Sequence, residues 1–249
     1  MSSKVTSSHC PVRTSHGQDA HTSPSYRRNF HIFYMLCDAA CSDVAPELHL
    51  NTVGLQPSSC YRSLSHDGKP APVDGKSDLD DFTNLCLTLD RLGVQKAEQR
   101  SLYAVLAAIL ALGNVELIPT EDGLGCSISS NGQIQVAATN LGCSDSALER
   151  AITKRTLVAG GTEIVSPLSA KDAAFGRDSL AKAMYSDLFD WLVRIVNQRS
   201  GGGSLASSHF IGVLDIFGFE ILASNSFEQV TFGRQLAVES RGCAISRLL

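Results

Sequence analysis

Apolar residues begin to recur at helical spacing near Asn29. Phe30, Phe33, Leu36, Cys37 and Ala40 fall on one face and predict a first helix. From Ser42 to Lys76 the chain is rich in Pro, Gly and Ser and reads as a loop. Ser77, with Asp80 three residues later, has the form of a capping box opening a second helix. Leu79, Phe82, Leu85, Cys86, Leu89 and Leu92 line its buried face, and Gly93 ends it. A third helix carries Leu102, Val105, Leu106, Ile109 and Leu110, and Gly113-Asn114 is expected to stop it.

Residues 119–133 are Gly- and Ser-rich and read as loop, and Ser144 caps a short helix running to Arg155. Two β-type runs follow, Thr156–Ala159 and Thr162–Val165, joined by Gly160-Gly161, a two-residue hairpin signal closed by Pro167. A long helix is expected from Asp178 to Asn197, with Leu180, Met184, Leu188, Trp191, Leu192 and Ile195 as its apolar stripe. Trp191 is the only tryptophan and is expected to be largely buried. Gly201-Gly202-Gly203-Ser204 then forms a flexible break, and Phe210–Leu214 reads as a strand buried on both faces. The first 28 residues carry Ser, Thr, His and Pro without periodicity and read as a disordered lead-in.

Composition narrows this picture. Of 249 residues, 43% are hydrophobic and 18% charged, so the chain can bury a core. The net charge of −4 argues against a nucleic-acid surface, which needs concentrated Lys and Arg. The longest apolar stretch, Val105–Leu112, is too short to span a bilayer, so no membrane insertion is expected. The N-terminus has no apolar core of a signal peptide. Eight cysteines are scattered without a C-x-x-C pair and read as reduced structural thiols of a cytoplasmic protein. His9, Cys10, His16 and His21 match no standard zinc spacing.

The chemistry is concentrated in Val213-Leu214-Asp215-Ile216-Phe217-Gly218-Phe219-Glu220. An Asp at the carboxyl end of a buried strand can reach Mg directly or through water. A Gly three residues on lets a backbone N–H approach a terminal phosphate without a Cβ in the way. D-x-x-G alone is common; the longer string is specific. It resembles switch II of myosin motor heads, D-I-x-G-F-E. Four further stretches are similar to that family in the same order. They are Arg28-Asn29-Phe30-His31-Ile32-Phe33-Tyr34, the run from Ile109 to Val115, the run from Arg177 to Val193, and Asn225-Ser226-Phe227-Glu228-Gln229 at the start of the relay helix.

The resemblance implies an α-rich α/β fold, part of a P-loop NTPase-type motor domain, with mostly helices, a short hairpin and one core sheet strand. It divides the chain into a lead-in at 1–28, a partial motor domain at 29–229 and a non-family tail at 230–249. It further implies ATP and Mg as cofactors of the complete motor, actin filaments as partner and an actin-cytoskeletal location. In this sequence Asp215 would hold the Mg water shell, Gly218 would contact the γ-phosphate, and Glu220 would pair with a switch I Arg around the attacking water. The hairpin at Gly160-Gly161 falls where the family places a loop that touches actin.

Two family elements have no counterpart here. The P-loop pattern G-x-x-x-x-G-K-[ST] is approached only by Gly75-Lys76-Ser77, and the place of its first Gly is taken by Pro70. Switch I, N-x-N-S-S-R-F, is also missing. The chain is therefore expected to be a piece of a motor head that binds no nucleotide alone, or a non-catalytic actin- or partner-binding module derived from one.

Overall fold

The computed structural model describes residues 28–199, apart from 43, 67–68, 71–74, 76, 130–131 and 160. The expected lead-in save Arg28, the Phe210–Leu214 strand and the tail from 230 lie outside the described residues.

Six helices carry the described chain. Helix α1, His31–Cys41, buries Phe33, Tyr34, Leu36, Cys37 and Ala39. Helix α2, Asp78–Arg91, starts as its sequence predicts: Ser77 Oγ accepts the Asp80 amide at 3.2 Å. Asp78, Asp80 and Asp81 in its first turn complement the positive end of the helix dipole. Gly93, at φ +73°, turns the chain into α3, Lys96–Asn114. Leu36, Leu106, Leu110 and Leu112 are each 2% exposed or less, and each such side chain contributes roughly 1.5–3 kcal/mol on burial. The rings of Phe82 and Tyr103 meet at 5.3 Å and join α2 to α3.

The segment expected as a loop from Ser42 to Lys76 is more ordered than its composition suggests. It holds three single turns of 3-10 helix, Pro46–Leu48, Leu50–Thr52 and Ser58–Cys60, and a short antiparallel pair, β1 at Ser65–His66 with β2 at Lys69–Pro70. Leu48, Leu50, Tyr61 and Leu64 anchor it in the core, so tertiary burial overrides local preference.

Helix α3 ends at Asn114, where Gly113-Asn114 is expected to stop it; the two are its last helical residues, and Val115 is the C-cap. The 119–133 stretch, by contrast, departs from a plain loop. Strand β3, Leu117–Pro119, pairs with β4, Cys126–Ile128, in register Leu117↔Ile128. Helix α4, Gln133–Leu141, follows and has no sequence-based expectation behind it. Its core side is small, with Ala137 and Ala138 fully enclosed, which lets α4 lie close to α3. Helix α5, Asp145–Thr153, opens with Ser144 Oγ accepting the Ala147 amide at 3.2 Å. It ends two residues before the expected Arg155, because β5 begins at Lys154.

Strand β5, Lys154–Ala159, and β6, Thr162–Pro167, form the expected hairpin, with Ala159 paired to Thr162 across two residues. Helix α6 is longer than its stripe predicts, running Ala170–Arg199. Its expected apolar stripe does face the core, where Leu180, Met184, Leu188, Trp191, Leu192 and Ile195 are partly buried against α1, α3 and their neighbours. Trp191 is half-buried rather than enclosed, because α6 lies on the outside of the helical layer.

Candidate functional site

The residues that the sequence singles out for nucleotide chemistry, Asp215, Gly218 and Glu220, lie outside the described residues. Lys76 does as well. The neighbouring Ser77 is occupied as the N-cap of α2, a structural role that accounts for its place in Gly75-Lys76-Ser77.

The surface feature that the structure does define is the β5–β6 hairpin. Helix α5 runs into β5 without a loop, and Leu168 N–H donates to Thr153 O at 2.8 Å to close the base. Thr153 is itself 5% exposed, and its hydroxyl donates back to Glu149 O. After β6, Ser169 Oγ accepts the Asp172 amide at 3.2 Å and starts α6, and Ala173 is fully buried one residue on. Arg177 then donates through Nη1 to Val115 O at 2.6 Å and pairs with Asp178 at 2.7 Å, fixing α6 to the end of α3. Gly125, next to β4, lies so close that an added Cβ would stand 3.4 Å from Pro167 Cβ. The ribbon therefore stands on a rigid base.

Beyond that base the ribbon is open to solvent. Leu157 is 45% exposed, Val158 76%, Ile164 51% and Val165 42%. Cross-strand register puts Leu157 and Ile164 on one face, and Val158 with Val165 diagonally on the other. Neither face is a core face. Lys154 and Arg155 add positive charge to β5, and Glu163 opposes Val158. An apolar ribbon exposed on both faces has the character of a contact surface. The strand-like runs and the Gly160-Gly161 signal predict the hairpin, but a strand normally has one buried face; that both are exposed is not legible in the sequence.

A second cluster ties the far end of α6 to the α2–α3 corner. Arg199 donates to Glu98 Oε2 at 3.1 Å and to Leu92 O at 3.4 Å. Glu98 also accepts the Gln95 amide at 2.8 Å. That backbone hydrogen bond, with the Arg199 guanidinium, holds the Glu98 carboxyl below its ordinary range. Nearby, Lys96 and the enclosed Gln99 both donate to Asp90 and lower its carboxyl in the same way.

The described residues form an α-rich layer with a long outer helix and a projecting hairpin. Similarity to known proteins identifies the family. The model of the myosin head (motor domain) matches residues 21–233, and the chain belongs to that family. It is 40% identical to Myosin-7 of Arabidopsis thaliana over 81% of this chain and 11% of that protein. It is 38% identical to Unconventional myosin IC of Drosophila melanogaster and 37% to Unconventional myosin-Ia of Mus musculus. Each of these matches covers 81% of this chain and 19% of the relative. The chain thus spans between about a tenth and a fifth of the length of these relatives.

Proposed function

We propose that residues 29–229 are the actin-facing part of a myosin motor head together with its switch II, and that the β5–β6 hairpin meets the actin filament. The observation that carries this is the exposure of Leu157, Val158, Ile164 and Val165 on both faces of a firmly based ribbon. Lys154 and Arg155 suit an acidic filament surface, so contact combines apolar burial with charge attraction. In the complete head, Asp215, Gly218 and Glu220 would serve Mg and ATP as the family's switch II does, by positioning and electrostatics rather than covalent chemistry. The setting of this activity is the cytoplasmic actin cytoskeleton.

The sequence contains no complete P-loop and no switch I, which favours a second reading for the 249-residue chain by itself: a non-catalytic module that binds actin or another partner. Co-sedimentation with actin filaments tests the shared part of both readings. The chain should pellet with filaments in a salt-sensitive way, and Val158→Asp should weaken this while leaving the circular dichroism spectrum unchanged. Equal pelleting of both proteins would remove the hairpin from the interface. Phosphate release with and without filaments then separates an active motor from a passive module.

A further inference from the structure

Successive residues of a strand point to opposite faces, so the two faces of the β5–β6 ribbon can be compared residue by residue. One face carries Arg155, Leu157 and Ile164, with Leu157 directly opposite Ile164. The other carries Lys154, Val158 and Val165. Both cations are exposed, and none of the four apolar side chains belongs to either core cluster. Each face therefore repeats one pattern: a cation at the root, where β5 leaves α5, and an apolar pair farther out. Glu163, opposite Val158, is the charge that tells the second face from the first.

A partner surface that met the ribbon flat would bury one apolar pair and leave the other in water. The exposures are comparable on the two sides, 45% and 51% for Leu157 and Ile164 against 76% and 42% for Val158 and Val165. Neither face is the obvious one to leave uncovered. The root is fixed by the Leu168 to Thr153 hydrogen bond at 2.8 Å, so the ribbon meets a partner already shaped, at a small ordering cost. The turn is Gly160-Gly161, which brings no side chain to the leading end.

We propose that the hairpin enters a groove of the actin filament tip-first, with a wall against each face. This rests on the reading that the hairpin meets actin, and adds the shape and chemistry of the surface that receives it. Both walls are apolar at depth, one covering Leu157 and Ile164 and the other Val158 and Val165. Both lips are acidic, facing Arg155 and Lys154. The wall on the Val158 side also presents a hydrogen-bond donor near the floor, where Glu163 arrives. Strands of six residues make the ribbon about 20 Å long. A wall stacks about 10 Å from the ribbon, so the two walls stand about 20 Å apart, backbone to backbone.

The test exposes the full chain to hydroxyl radicals with and without actin filaments, at a salt concentration where it pellets. The radicals oxidise exposed Leu, Ile and Val side chains. Trypsin cutting after Arg155 and Lys171 releases one peptide that carries all four residues, and fragmentation assigns the oxidation to each. The expected result is a severalfold fall at all four on the filament. Leu157→Asp and Val158→Asp should weaken pelleting alike, by about tenfold each, with unchanged circular dichroism spectra. Protection of Leu157 and Ile164 alone, or of Val158 and Val165 alone, overturns the inference, because the ribbon then lies flat, while the actin reading stands. Failure to pellet overturns that reading and the inference with it. Protection that grows with the chain's own concentration, without filaments, assigns the ribbon to a second copy and overturns the groove equally.

Discussion

The side chain of Asn114 donates to the carbonyl of Cys60 at 2.7 Å, across 54 residues of sequence. Through its other amide atom it accepts the Arg62 N–H at 3.0 Å. One carboxamide thus stands in for a strand neighbour and pins the 58–64 turn to the end of α3.

Asn114→Ala removes both contacts and leaves two backbone groups to find water. The expected cost is about 1–2 kcal/mol, read as a lower urea midpoint at unchanged slope. Asn114→Asp keeps the acceptor alone and should fall between the two. No change in Asn114→Ala would mean that the turn is held by Tyr61 and Leu64 alone.

Ala45 sits at φ +56°, in the left-handed region, at the entrance to the Pro46–Leu48 turn. An alanine there is strained, and glycine is not. Ala45→Gly should stabilise the chain by roughly 0.5–1 kcal/mol after the extra entropy of the unfolded glycine is subtracted. Thermal unfolding would show this as a small rise in the midpoint; a fall would place the strain elsewhere.

Burial raises the Cys37 thiol to about 12 and the Tyr61 hydroxyl to about 12, from 9.0 and 10.0 respectively. Both groups are neutral in the folded state, and the unfolded chain loses these protons at lower pH. Their contribution to stability is therefore complete below about pH 9 and declines as pH rises toward about 12. Chemical unfolding at about pH 8 and about pH 10.5 should show a lower midpoint at the higher value. In Cys37→Ala that decline should be smaller, and an equal decline would assign the alkaline sensitivity to other groups.

Phe82 is fully enclosed, whereas Trp191 is only half-buried on the outer helix. Phe82→Ala should cost about 3–5 kcal/mol, as expected for a core aromatic. Trp191→Ala should cost less than Phe82→Ala, because α6 leaves part of the indole in water. If the two substitutions are equally damaging, Trp191 is covered by a surface additional to the described helices.

On the reading proposed above, Asp215, Gly218 and Glu220 would lack the cradle of backbone N–H groups and the P-loop Lys from which most phosphate affinity in such folds comes. The 249-residue chain should show no Mg·ATP binding at millimolar nucleotide and no actin-stimulated phosphate release. Calorimetry and a phosphate-release assay check the two parts. Saturable binding that Gly218→Ala abolishes would overturn this, and would return attention to Gly75-Lys76-Ser77.

The sequence by itself determined what depends on neighbours a few residues apart. The helical repeat marks α1, α2, α3 and α6, Ser77 and Ser144 mark helix starts, and Gly160-Gly161 marks the hairpin turn. The collinear motifs also identify the family, because they are long strings rather than patterns. What only the tertiary structure decided depends on partners far away in sequence. The Gly- and Ser-rich stretch before α4 pairs as β3–β4 because Leu117 and Ile128 both pack onto the core formed by α4, α5 and the end of α3. Helix α4 carries an apolar spacing, Ile134, Ala137, Ala138 and Leu141, but it is short and half of that face is alanine, so its burial depends on close packing against α3. The same dependence explains α6. Its first turns join the helix through Ser169 capping and the Arg177 link to Val115, while its periodicity begins later. Local spacing encodes which face of an element is apolar; how deeply that face is buried is set by what packs against it, as the half-buried Trp191 records.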